Sequence, residues 1–218
     1  MCFSATASFI AGGALVGMGG KTLSMAKTKF QIPYASIPLL FGVQQLIEGT
    51  IWLTFGSGLL LQVMTLVYSI FAFVLWPIFV PFSVLLIEPD ARMRKFIKVF
   101  LILGTITGLY LFYLILKSPV TPEIIQNCIA YHSDAFNNQS LLIASTYFVT
   151  SSVSCFFSSH KRVKLFGLAL MVSAYASYTL YRVAFFSVWC FFAALLSVIV
   201  YSYFYKKREK ALKKIRTK

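Results

Sequence analysis

The stretch Pro38-Leu-Leu-Phe-Gly-Val-Gln-Gln-Leu-Ile-Glu-Gly-Thr-Ile-Trp52 decides how the whole chain is read. It is apolar enough for a membrane-spanning helix, yet it carries Gln44, Gln45 and Glu48. The chain has six acidic residues, and five of them, Glu88, Asp90, Glu123, Asp134 and Glu209, fall in loops, at helix ends or in the tail. Glu48 alone lies inside an apolar run. A charge at that depth is costly, so an intramembrane carboxylate is a functional candidate. On a helix, Gln44, Glu48, Trp52 and Gln45 fall at about 0°, 40°, 80° and 100° around the axis. They form one polar stripe. Ala35, Gly42, Gly49 and Gly56 recur at heptad spacing beside it. Such a small-residue seam suits close helix packing. The helix is therefore expected inside a bundle with its polar stripe facing inward. Two roles fit the stripe: hydrogen-bonding glue between helices, or a binding site.

The surrounding composition agrees with a membrane protein. The chain of 218 residues is 59% hydrophobic with a net charge of +14. The basic residues sit in short clusters between apolar runs and in the tail. That pattern follows the positive-inside rule and excludes a nucleic-acid reading. Cys2, Cys128, Cys155 and Cys190 form no CxxC pair. The N-terminus lacks a basic n-region and a cleavage site, so no signal peptide is expected.

Seven spans follow, at about residues 4–20, 33–55, 59–87, 96–116, 140–158, 165–181 and 183–205. Each is long enough to cross roughly 30 Å of hydrocarbon as a helix. The first is rich in small residues, and its Gly13 and Gly17 make a GxxxG pair that would admit another backbone. Pro77 and Pro81 in the third predict a kink. Asp90 is placed to cap the fourth. Between the fourth and fifth, Thr121-Pro122-Glu123 has the form of a helix start. It predicts a short surface helix carrying Ile124, Ile125, Cys128, Ile129 and His132 on one face. With the N-terminus outside and the C-terminus inside, 18 of the 20 basic residues fall inside. Only Lys117 and Arg182 are left outside. The expected architecture is all-α: a seven-helix transmembrane domain over residues 1–205 and a basic cytoplasmic tail over 206–218. That tail would meet anionic lipid headgroups.

Other groups are expected near the depth of Glu48. Trp189 and Cys190 come early in the seventh span, and Tyr178 ends the sixth. Arg182 follows in the outer turn, where its side chain would either dip toward Glu48 or snorkel to headgroups. Cys128 and His132 are two metal ligands at most, too few for a closed zinc site, so no metal and no cofactor is assigned. A disulfide joining two of Cys2, Cys128 and Cys190 stays open, as does a glycosylation sequon at Asn138-Gln-Ser140. No HExxH, no GxSxG and no central lysine in the seventh span points to a protease, a hydrolase or a retinal protein. No catalytic residue is assigned.

Four stretches carry a resemblance: Met1-Cys-Phe-Ser-Ala-Thr-Ala-Ser-Phe9, Pro38 to Gly49, Trp76-Pro77 with Pro81, and Ser187-Val-Trp-Cys-Phe-Phe-Ala-Ala194. Together the chain resembles a family of bacterial multi-pass membrane proteins of unknown function. The resemblance implies an inner-membrane location and no particular activity. From the residues, the expected function is binding or transport of a small ligand or ion through an outward-facing polar pocket around Glu48. There Glu48 would hold a proton or cation. A membrane sensor or partner-binding subunit is the alternative, and a membrane-embedded enzyme the third.

Overall fold

A computed structural model describes residues 4–125, 127–133 and 141–216. Its helices are α1 (Ala5–Ser24), α2 (Ile32–Thr54), α3 (Leu59–Ser69), α4 (Trp76–Ile87), α5 (Ala91–Lys117), α6 (Leu141–Ser152), α7 (Lys161–Leu180), α8 (Phe185–Leu196) and α9 (Val198–Arg216). A wide π turn at Ile70–Leu75 joins α3 to α4. A tight 3₁₀ turn at Val153–Phe157 extends α6. Each predicted span falls on helix, the seventh divided at Ser197, and the described residues are all-α apart from one hairpin. Among the described residues, four stretches, Leu59–Ile87, Ala91–Lys117, Lys161–Leu180 and Phe185–Glu209, are long and apolar enough to cross a membrane. The basic segment that begins at Lys206 continues α9 rather than leaving it.

Close approach of α1 and α2 organises one side of the bundle. The contact is made by glycines, but not by the GxxxG pair the sequence suggests. A Cβ at Gly13 or Gly17 would meet nothing within 4 Å. At Gly19 it would fall 2.5 Å from Leu39 N, and at Gly12 it would strike the Leu46 side chain at 2.8 Å. From the other side, a Cβ at Gly42 would lie 2.8 Å from Val16 N, and one at Gly49 would meet the Phe9 ring at 3.1 Å. Gly12 and Gly19 are seven apart, so they share a face that Gly13 and Gly17 leave. The seam on α2 holds at Gly42 and Gly49, and Ala35 is buried one heptad earlier. It ends before Gly56, which takes φ +89° in the turn after the helix.

The long third span bends as its prolines require. Pro77 has no N–H to give the preceding turn, and the chain widens into the π segment just before it. Tyr147 of α6 donates its hydroxyl to Ala72 O at 2.5 Å, which satisfies a carbonyl in that segment. A neighbouring helix supplies what the proline removes. Pro81 likewise has no N–H for Pro77 O. That oxygen turns toward α5, where the Cβ of any larger residue at Gly104 would clash with it.

The expected surface helix is replaced by two strands. β1 (Thr121–Ile125) and β2 (Cys128–His132) pair antiparallel, with Ile125 opposite Cys128, and Asn127 takes φ 59°. Asn tolerates this left-handed conformation, which hairpin turns need. Strand geometry separates Cys128 from His132 by about 13 Å at 3.3 Å per residue. They cannot share one ion. His132 Nε2 instead lies 3.4 Å from Glu123 Oε2. Cys128 is fully buried, packed with Ala184 and Val188. Cys2 and the sequon at 138–140 lie outside the described residues.

Asp90 caps α5 as expected, accepting from Arg92 N at 2.7 Å and Met93 N at 3.1 Å. Its neighbour Glu88 does more than the sequence suggests. It is 3% exposed and ties the end of α4 to the start of α7. Its carboxylate accepts from the Ser158 hydroxyl at 2.8 Å, from Ser159 N at 2.7 Å, from the Ser159 hydroxyl at 2.5 Å and from Asp90 N at 3.1 Å. Burial pushes the Glu88 carboxyl up, but these hydrogen bonds together outweigh it and hold it below the usual glutamate range. A carboxyl lowered in the folded state contributes stability above its unfolded pKa, and loses it as pH falls through the folded value. Glu88→Gln should therefore lower the melting temperature at neutral pH. The gap from the native protein should close on acidification from about pH 4.3 downward. A gap of the same size at neutral and acid pH would show that the charge of Glu88 contributes nothing.

Candidate functional site

The polar stripe of α2 faces the bundle interior. Gln44, Gln45 and Glu48 are each 0% exposed. Two groups grip the carboxyl: Ser187 Oγ of α8 donates to Glu48 Oε1 at 2.5 Å, and Gln45 Nε2 donates to Oε2 at 3.3 Å. The Tyr68 side chain of α3 lies beside the same carboxyl. One turn earlier, Trp76 Nε1 donates to Gln44 Oε1 at 2.8 Å. The Trp76 ring stacks on Phe41 with centroids 3.8 Å apart, which fixes the direction of that bond. Cys190 is 4% exposed and stands among Gln44, Tyr68 and Glu48. Side chains of α2, α3, α4 and α8 thus converge on one polar cluster.

The cluster is not saturated. Gln44 Nε2, Gln45 Oε1 and Trp52 Nε1 are buried with no hydrogen-bond partner among the described residues. Buried polar atoms are normally paired, and an orphan calls for an explanation. Neither described ion pair involves Glu48. A cavity of about 20 Å³ adjoins the cluster, lined by Phe41, Trp76, Tyr147, Ser151, Trp189 and Cys190. It has room for about one water molecule.

The hairpin sits over this site. Tyr131 of β2 stacks on Tyr68, with centroids 4.4 Å apart and planes 13° from parallel. Trp189, another expected site residue, packs beside the cluster. Its Nε1 donates to Leu170 O at 3.1 Å, and its ring stacks on Phe185. It shapes the wall and offers no free donor.

Tyr178 and Arg182 do not join. Tyr178 is 51% exposed, and the Arg182 guanidinium lies over its ring at 5.4 Å. A cation–π contact at the surface spares Arg182 the desolvation that dipping toward Glu48 would cost. Three partners went unpredicted: Ser187, Tyr68 and Trp76. Ser187 and Trp76 lie inside the stretches that carried the family resemblance, and that was the available signal. Tyr68 had none, since one tyrosine in an apolar span looks like any other.

No curated protein and no solved structure matches this chain. A family model does match, over residues 1–216, almost the whole sequence. The chain belongs to DUF6629, a family of unknown function.

Proposed function

We propose that this is a multi-pass membrane protein that binds a proton at Glu48 and couples its occupancy to the packing of the helices around it. The carrying observation is a fully buried carboxyl group beside three orphaned polar atoms, Gln44 Nε2, Gln45 Oε1 and Trp52 Nε1. Orphans of both kinds, donor and acceptor, are poised to exchange partners when the carboxyl gains or loses its proton. Among small cations, the proton asks for no coordination shell and so suits closed packing. Transport of a proton or other small ion through this point is the reading favoured by the buried charge. A sensor or partner-binding subunit is the second reading. The stack of Tyr131 on Tyr68 favours it, because it links the hairpin to the carboxyl. No residue is assigned a catalytic role.

Infrared titration of the detergent-solubilised protein tests the proton reading. A carboxyl band that changes with pH should disappear in Glu48→Gln. If that variant leaves every titrating band unchanged, Glu48 does not exchange a proton.

The setting we propose is a bacterial inner membrane crossed seven times, N-terminus outside and C-terminus inside. The support is the charge asymmetry, with 18 basic residues on one side and two on the other. The basic segment from Lys206 would then face anionic headgroups of the inner leaflet, and nucleic acid is no partner. A reporter active only outside should work when fused after Thr121 and fail when fused after Lys218. The reverse pattern would invert the topology.

A further inference from the structure

The basic clusters, scattered in sequence, meet at one end of the bundle. Lys21 Nζ lies 5.9 Å over the Tyr201 ring, and Lys27 lies close enough to Lys207 to repel it. Between the start of α7 and the basic part of α9 a cleft of about 710 Å³ opens. His160, Lys161, Arg162, Tyr203, Lys206 and Lys207 line it. The volume falls in the usual range for small-molecule sites, about 300–1,000 Å³.

Several features set this cleft apart from a merely solvated charge run. Arg162 is held in place, its Nη1 donating to Ser202 Oγ at 2.5 Å. Lys207 Nζ is held 5.6 Å over the Tyr203 ring. The Tyr203 hydroxyl in turn lies 3.4 Å from His160 Nε2, which is itself 3.0 Å from Ile87 O. The frame is therefore built by packing and hydrogen bonds, not by counter-charges. None of the four cations pairs with a carboxylate among the described residues. Glu88, behind Ser159 in the wall, already accepts four hydrogen bonds. Glu209, further along α9, pairs with Lys213 at 2.8 Å. Glu88 and Glu209 offset part of this charge, and the like charges left in excess repel one another. The cleft thus favours a multiply charged anion, and a planar guanidinium fork beside ammonium groups suits phosphate oxygens.

The surface leaving the cleft is apolar. Leu165 lines it, and Leu165, Leu168 and Val172 are about half exposed or more, in a row along α7. At helical spacing these three share one face. A ligand with a phosphate at one end and hydrocarbon at the other would match both the cations and that row. We propose that this cleft is a phosphate site that seats the headgroup of one anionic phospholipid, with an acyl chain along Leu165, Leu168 and Val172. Basic pockets between membrane helices are suited to such headgroups.

The test uses the full-length, delipidated protein in detergent. Retention of added phosphatidylglycerol and phosphatidylcholine is read by native mass spectrometry. The native protein should hold phosphatidylglycerol in preference to phosphatidylcholine. The pair Arg162→Gln with Lys207→Gln should weaken that retention roughly thirtyfold, from the usual electrostatic contribution of two charges near a membrane surface. The pair Arg94→Gln with Lys98→Gln removes the same charge from the start of α5 and should change retention little. Equal loss in both pairs would overturn the site, since it would reduce binding to net charge. Inorganic phosphate tests the source of the anion. Binding of phosphate to the native protein without preference for phosphatidylglycerol would overturn the lipid assignment and leave a soluble phosphate compound. If the first pair fails to fold, Lys161→Gln with Lys206→Gln removes two exposed charges from the same cleft. No loss of retention there would also sink the proposal.

Discussion

Gly104→Ala should deprive the protein of its fold, while Gly13→Ala should leave it intact or slightly more stable. The substitution is the same one methyl group in each case. At Gly104 that methyl carbon would have to occupy the place of Pro77 O, and it would also lie 2.8 Å from Pro77 C. Both atoms are backbone, so neither can turn aside as a side chain would. The oxygen is aimed at α5 because Pro81, four residues on, has no N–H to hold it within its own helix. Relief requires α4 and α5 to separate along a shared face, and overpacking of even flexible cores costs about 1–3 kcal/mol. Here the cost should exceed that range. At Gly13 the added carbon meets nothing within 4 Å. Replacing a helical glycine by alanine then gains about 0.5–1 kcal/mol. Thermal unfolding in detergent, followed by size exclusion, compares the two. If Gly104→Ala melts with the native protein, the helix contact described above is wrong.

Glu48→Lys should destabilise the protein by about 3 kcal/mol, the usual cost of an unpaired cation at the centre of a membrane helix. No described carboxylate is placed to pair with it. Glu48→Gln is different. Its amide oxygen can still accept from Ser187 Oγ. Its NH₂ would then face Gln45 Nε2, donor against donor. Gln45 can reverse its amide, because its Oε1 has no partner to lose. After that reversal Gln45 Oε1 accepts from the new amide, so the variant should fold with a loss within about 1 kcal/mol. The pair of variants separates two roles. If Glu48 is only a hydrogen-bonding link, Glu48→Gln should match the native protein in every assay. If Glu48 handles a proton, Glu48→Gln should fold and have lost its pH response. A Glu48→Gln protein that does not fold would mean that the carboxylate charge is itself structural.

Much of this could be read from residues 38–52, and the reasons are physical. A carboxyl group in an apolar helix must face the interior, so the inward turn of Gln44, Gln45 and Glu48 followed from solvation cost alone. The helices around them were legible from run length. The partners were not, because contact between Glu48 and Ser187 depends on how α8 docks, and no local pattern encodes docking. Arg182 shows the same limit from the other side. Its sequence position allowed an inward or an outward pose, and a tyrosine ring at the surface decided it. Gly12 and Gly19 were missed because the GxxxG motif at Gly13 and Gly17 is the better-known pattern, and spacing cannot tell which face of α1 meets α2. The hairpin was misread for a local reason. Thr121-Pro122-Glu123 satisfies the rules for a helix start, and Ile124, Ile125, Cys128 and Ile129 satisfy helical periodicity equally well. Three isoleucines and an asparagine at the turn pointed the other way.

The wide turn at Ile70–Leu75 sets the rotational phase of everything that follows it in that span. A π turn takes up one residue beyond what an α-helix would use. Removing a single residue there, Val74 for example, would let the segment wind as ordinary helix and keep its length nearly unchanged. The phase of the following residues would hold as well, because the wide turn had already taken up the extra residue. Trp76 would keep Gln44 and the Phe41 ring, but Ala72 would now stand four residues before Pro77, and the proline ring would press on the same carbonyl that accepts from Tyr147. A chain one residue shorter would remain as greasy, as helical and as well registered as before, and would fail only where the ring of Pro77 needs the width of that turn.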